Sequence, residues 1–159
     1  MQAKINPEKE DISLYKHVYH YQIEFSQLDS FRIVHNIQYF YFLEWARTKY
    51  LSAISRNIDP GFFLREYPVM TVHSEIDYIN PCRFNDKIEV LTRISFVKNS
   101  SFRFENIIRL ESGLPLATAS SILVNFNPKT AQAERLPDPL RKMISDYEGE
   151  NVIFIEGEE

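Results

Sequence analysis

Residues 25–47 begin as the end of a strand, pass through a polar loop over Ser26–His35 that holds Asp29, and enter the most hydrophobic helical pattern of the chain. Tyr39, Phe42, Leu43, Ala46 and Tyr50 recur at the i, i+3, i+4, i+7 spacing of one helix face. Phe40, Tyr41 and Trp45 fall on the flanks, so apolar surface covers most of the circumference. Such a helix cannot lie with its far side in water; it must be wrapped. Glu44, Arg47 and Lys49 interrupt the run, which is also too short to cross a bilayer. Asn36 is the expected N-cap, since its side chain can accept from an unpaired amide of the first turn. The helix is expected to persist to about Ile54, before Asn57-Ile58-Asp59-Pro60 breaks it.

The rest of the chain alternates at the period of strands. Residues 17–25 favour extended backbone through Val18, Tyr19, Tyr21, Ile23 and Phe25. Four further strands are expected over 68–78, 87–97, 101–110 and 116–126, separated by the turn residues Asn80-Pro81, Lys98-Asn99-Ser100 and Ser112-Gly113. In the second of these, Ile88, Val90, Thr92, Ile94 and Phe96 form one face, and Glu89, Leu91, Arg93 and Ser95 the other. Pro137 opens a short helix to about Ser145. One helix followed by a meander of long strands is an α+β layer design, with the helix against a curved, mainly antiparallel sheet of five or six strands. Residues 1–16 read as a polar tail, 17–146 as one domain, and 147–159 as a tail or an edge strand around the apolar run Val152-Ile153-Phe154-Ile155. A single curved sheet leaves open edges and an uncovered face, so a homodimer that continues the sheet across subunits is expected, and a homotetramer beyond it.

Composition narrows the function classes. The 159 residues are 44% hydrophobic and carry four glycines, which fits a substantial core and argues against glycine-rich nucleotide loops. A net charge of −4 argues against broad attraction to nucleic acid as the source of function. Cys82 is the only cysteine, which excludes an internal disulfide and a cysteine-rich zinc site. His17, His20 and His73 lack metal-ligand spacing, so no metal is expected. The polar first 16 residues have no apolar core of a signal peptide, and a cytoplasmic protein is the expectation.

The stretch FSQLDSFRIVHNIQYFYFLEWAR resembles the signature of the hotdog-fold acyl-CoA thioesterases, the 4-hydroxybenzoyl-CoA thioesterase and YbgC-like group. Asp29 matches that family's catalytic Asp, Ile33-Val34 its aliphatic pair, Tyr39 its helix-entry Tyr, and Glu44, Ala46 and Arg47 its E-x-A-R. His35 and Asn36 occupy the two polar or aromatic positions between. The likeness runs from about Tyr19 to Leu140. It implies a hotdog fold, hydrolysis of a thioester of coenzyme A or of acyl-carrier protein, and no cofactor, coenzyme A being part of the substrate. There are two departures: Gln27 stands where the family has a first Asp, and Arg32 where it usually has Gly.

Thioester hydrolysis needs a carboxylate that attacks the carbonyl or activates water, and donors aimed at the developing oxyanion. By itself Asp29 reads as a turn cap; the resemblance makes it the catalytic carboxylate, with Asn36 and the helix-entry amides polarising the carbonyl. Val34, His35 and Tyr39 are expected in the pocket wall. An Asp29–His35 pair would suit an enoyl-thioester hydratase instead, and the two departures would suit a non-catalytic acyl-thioester binding module. Glu44 is a reserve catalytic candidate, although Arg47 three residues on can pair with it. The resemblance also implies that Lys98, Ser100, Ser101 and Phe102 contact the coenzyme A arm, with Arg83 and Lys129 nearby. An ordinary solvated hairpin would have the same composition.

Overall fold

Helix α1 (Asn36–Ile54) forms where the apolar period requires it, and Tyr39, Phe42, Leu43, Ala46 and Tyr50 are all buried. The computed structural model describes residues 5–56 and 65–155. The expected breaker Asn57–Pro60 lies outside the described residues. Five long strands form one antiparallel sheet in the order β1-β3-β4-β5-β2, comprising β1 (His17–Gln22), β2 (Val69–Tyr78), β3 (Lys87–Val97), β4 (Ser101–Leu110) and β5 (Pro115–Asn127). Two short strands lie off this path: β6 (Gln132–Ala133) pairs with β5, and β7 (Ile153–Phe154) runs parallel to Phe96–Val97 of β3.

The sheet curls around α1. Near the helix start, Tyr39, Phe42, Leu43 and Ala46 pack on Ile88, Val90, Ile108 and Ala117. Towards its end, Tyr50, Leu51 and Ile54 meet Ile94, Phe102, Phe104 and the short helix α2 (Asp138–Glu148) through Leu140 and Ile144. Each such side chain contributes about 2 kcal/mol on burial, whereas an exposed helix ion pair contributes only about 0.3 kcal/mol. Apolar burial therefore fixes the helix in place. One flank stays open: Ile37, Phe40 and Tyr41 remain about half exposed.

Several expectations are corrected. β1 ends at Gln22 rather than running to Phe25, because a 3-10 turn over Phe25–Gln27 interrupts it, held by the reciprocal side-chain and backbone contacts of Glu24 and Gln27. Phe96 does not share the face of Ile94: a bulge at Ser95 turns Val97 inward, fully buried, and pairs Phe96 with Arg103. Residues near the amino end are not structureless, since Ile12–Leu14 form a 3-10 turn and Tyr15 is buried with Leu91 and Ile107 on the outer sheet face. α2 continues past Ser145 because the buried Glu148 accepts from Tyr50 Oη at 2.5 Å and from the Ile94 N–H at 2.9 Å. Gly149, at φ 66°, then takes the left-handed turn that ends it.

Candidate active site

The segment from Ile23 to His35 is a tightly bonded loop between β1 and α1. Leu28 and Val34 form an isolated antiparallel bridge, and the loop is closed by the Asp29 N–H donating to Ile33 O at 2.9 Å. The Val34 N–H donates to Cys82 O at 2.8 Å, tying the loop to the β2–β3 connection. Gln27, buried where the related family has an acid, binds structurally. Its Oε1 accepts from the Glu24 N–H at 2.9 Å, and its Nε2 donates to Gln38 on α1.

Asp29 is half-buried, and its Oδ1 accepts from the Phe31 N–H at 2.8 Å and the Ile33 N–H at 3.4 Å. Among the described residues no donor meets Oδ2. The carboxylate is thus oriented by the backbone while one oxygen stays free for chemistry. Arg32 adopts φ 60°, the left-handed conformation that the Gly usual at this position would enter without a Cβ penalty.

The N-cap of α1 is His35, not Asn36. His35 Nδ1 accepts from the Ile37 N–H at 3.2 Å, so Asn36 becomes the first helical residue. The His35 N–H donates to Gln27 O and the Gln38 N–H to His35 O. Among the described residues the Asn36 N–H alone of these helix-entry amides has no acceptor. It stands at the positive end of the helix dipole.

Asp29, Val34, His35, Asn36 and Tyr39 line one cavity of about 630 Å³, together with Ile33, Tyr78 and Ile79. Tyr78, which sequence reading missed, packs edge-on against Tyr39 with ring centres 5.1 Å apart and donates its hydroxyl to Asn36 O at 3.2 Å. Burial pushes the Tyr39 hydroxyl well above its ordinary titration range, so it remains protonated. No local pattern signals Tyr78, which ends β2 and reaches the helix start only through the tertiary fold.

Other expected site residues are not brought to this cavity within one chain. Phe102 is fully buried in the core and is unavailable to a ligand. Lys98, Ser100 and Ser101 form the β3–β4 hairpin, whose backbone is occupied by Asn125, which donates to Ser100 O, and by the Arg141 guanidinium, which donates to Lys98 O at 2.7 Å. Lys129 is exposed beyond β5. Glu44 is exposed and, among the described residues, makes no ion pair with Arg47. Arg47 instead donates to Ser121 Oγ at 3.2 Å, its guanidinium pK lowered by burial against the opposing pull of Glu44. Arg83 and Asp29 both line a second groove. Among the described residues no cluster of His, Cys, Asp and Glu could hold a metal ion, and no helix is long and apolar enough to cross a membrane.

The thioesterase-like superfamily matches residues 23–144, a span that includes the whole of this site and most of the sheet. The chain belongs to that superfamily. Solved structures agree on the fold. A 1,4-dihydroxy-2-naphthoyl-CoA thioesterase from Synechocystis superposes with a TM-score of 0.74 at 22% identity, covering 82% of this chain and 96% of its own. A thioesterase from Thermus thermophilus, solved with coenzyme A and zinc, gives 0.74 at 24% identity over 85% and 96%. The probable thioesterase YbaW from Escherichia coli gives 0.69 at 24% identity over 80% and 96%. No curated protein matches the sequence. At these identities the likeness establishes the hotdog architecture, a curled antiparallel sheet around a central helix, as expected from the sequence.

Proposed function

We propose that this superfamily member is an acyl-CoA thioesterase that cleaves its substrate at Asp29. The observation that carries the reading is the pairing of a backbone-oriented carboxylate with an unpaired helix-entry amide on one cavity wall. Asp29 Oδ2 either attacks the thioester carbonyl carbon or takes a proton from the water that does. The carbonyl oxygen, gaining charge, accepts from the Asn36 N–H at the positive end of α1. The C–S bond then breaks, and coenzyme A leaves as the thiolate, which is protonated from water. In the nucleophilic version a second water hydrolyses the Asp29 anhydride. No cofactor enters the scheme, coenzyme A being part of the substrate. Acyl-carrier protein is an alternative source of the same thioester.

A homodimer is part of the proposal. Strand β2 ends the sheet with Met70 and Val72 exposed, and α1 leaves Ile37, Phe40 and Tyr41 uncovered. A second copy pairing along β2 would cover both at once. The single buried cysteine supports a cytoplasmic setting.

Free-thiol release from a panel of acyl-CoA esters tests the reading. Asp29→Asn keeps the loop's acceptor at Oδ1 and is expected to lower turnover by about a thousandfold or more with an unchanged circular-dichroism spectrum. Turnover equal to wild type would remove Asp29 from the mechanism. The hydratase alternative lacks support, because among the described residues no hydrogen bond joins His35 to Asp29, whose Oδ1 accepts from the Phe31 and Ile33 N–H groups.

A further inference from the structure

His35 meets the amino end of α1 with one ring nitrogen and leaves the other free. Nδ1 accepts from the Ile37 N–H at 3.2 Å. A nitrogen that accepts carries no proton, so the capping ring is the neutral tautomer with its hydrogen on Nε2. The two nitrogens face different ways around the imidazole, and Nε2–H points away from the helix. Among the described residues it has no acceptor. The same ring lines the cavity that holds Asp29 and Asn36. Its backbone is fixed on both sides: the His35 N–H donates to Gln27 O at 2.9 Å, and His35 O accepts from the Gln38 N–H at 2.9 Å. Tyr78 Oη adds a further link by donating to Asn36 O at 3.2 Å. That carbonyl belongs to the peptide unit whose N–H, on Ile37, donates to His35. Hydrogen bonds in series polarise one another, so the chain from Tyr78 through this peptide strengthens Nε2–H as a donor.

We propose that His35 Nε2–H is a second donor to the thioester carbonyl oxygen, beside the Asn36 N–H. The inference rests on the thioesterase reading and deepens it by giving a side chain a part in the reaction. An oxyanion at an acyl carbon is commonly held by paired donors. The helix entry supplies one free amide, because the N–H groups of His35, Ile37 and Gln38 are all taken. First-turn amides point out past the amino end of a helix, which is also where the capping ring turns its Nε2–H. A carbonyl oxygen in front of α1 can therefore meet both. A neutral imidazole at a helix amino end polarises a carbonyl without giving up its proton. No bond to hydrogen breaks at His35, and the work of nucleophile or base stays with Asp29. A protonated ring could not accept the Ile37 amide, so the cap and the donor require the same form of the side chain. Tyr78 acts through this ring as a positioning residue.

His35→Nε2-methylhistidine, made by incorporating the methylated amino acid, keeps the Nδ1 cap and removes only this donor. Its kcat on acyl-CoA esters is expected to fall by about a hundredfold with KM nearly unchanged. His35→Ser keeps an N-cap oxygen but has no group that reaches the carbonyl, and should lose kcat to a similar extent while melting close to wild type. Tyr78→Phe should lower kcat by less, again without moving KM. Wild-type kcat in both His35 variants overturns the proposal, as does a raised KM with kcat intact, which would mark the ring as a contact only. A second readout needs no turnover: the infrared carbonyl stretch of the bound hexanoyl ketone analogue of the coenzyme A ester, with methylene in place of sulfur. Wild type should lower that stretch, and the methylated variant should return part of the shift; an equal stretch in both overturns the donor role. Asp29→Asn separates the two readings. Loss of turnover there, with full turnover in both His35 variants, sinks the His35 assignment alone. A carbonyl shift that depends on His35 in a protein that cleaves no ester sinks the hydrolase reading alone.

Discussion

The Arg32 N–H donates to the Asp29 carbonyl oxygen at 3.0 Å, and this turn forces Arg32 to φ 60°. For a residue with a Cβ that conformation costs about 1–2 kcal/mol. Replacing it with Gly removes the penalty but loosens the unfolded chain, which offsets about 0.4–1 kcal/mol of the gain. Arg32→Gly is therefore expected to stabilise the protein by roughly 0.5–1 kcal/mol, raising the melting temperature by about 2 °C. Calorimetric melting beside wild type measures it. A lower melting temperature would mean that the arginine side chain holds the loop together.

That loop also marks the limit of what the sequence reveals. The bounds of β3 and β4 are legible because alternation and turn residues agree at both ends. Phe25 misleads: it is apolar and follows an extended run, yet the chain turns at Glu24 and leaves the ring exposed. Phe96 misleads for a different reason, since one bulged residue inverts every later side chain, and no composition signal marks the bulge. At the site, the spacing from Asp29 to Tyr39 places the right residues on one wall, because the loop and the helix start are contiguous in sequence. Tyr78 and Phe84 reach the same region only through the β2–β3 connection, a tertiary contact that local pattern does not encode. The exchange of roles between His35 and Asn36 turns on which side chain reaches the Ile37 amide, a matter of one residue in helix entry.

His35 caps α1 through Nδ1, which predicts how its variants separate. His35→Ala leaves the Ile37 amide without its acceptor and should cost about 1 kcal/mol of stability, whereas His35→Asn restores a side-chain acceptor at the N-cap and should cost less than about 0.5 kcal/mol. Urea unfolding of the two variants makes the comparison. Equal losses would show that the imidazole acts by packing and not as a cap.

Glu148 is fully buried beneath Tyr50, and its Oε2 has no partner among the described residues. Burial raises its pK above the ordinary carboxylate value, with the Tyr50 and Ile94 hydrogen bonds opposing. The native state therefore holds this proton more tightly than the unfolded chain does. Its contribution to stability is fully present below the unfolded value of 4.5 and is lost as pH rises through the higher native value. Glu148→Gln stays neutral throughout. Its stability relative to wild type should rise with pH across that window and level off above it, as denaturant unfolding at a series of pH values would record. A flat difference would mean that Glu148 titrates alike in both states.

Cys82 reports on the loop that carries Asp29. The thiol is 1% exposed, its backbone carbonyl accepts from the Val34 N–H, and burial, with Asp86 adding to it, pushes the thiol pK up to about 12. At pH 8 the reactive thiolate is then rarer by about a thousandfold than for an ordinary cysteine. Native protein should label with a thiol reagent only when the loop opens, while unfolded protein should take up one equivalent at once. A ligand spanning Asp29 bonds to the closed loop and leaves the opened one, so at ten times its dissociation constant it should slow labelling by about tenfold. Native labelling as fast as that of the unfolded chain would mean that the Val34–Cys82 contact does not hold the Asp29 loop shut. Protection that fails to track ligand saturation would place the binding site elsewhere.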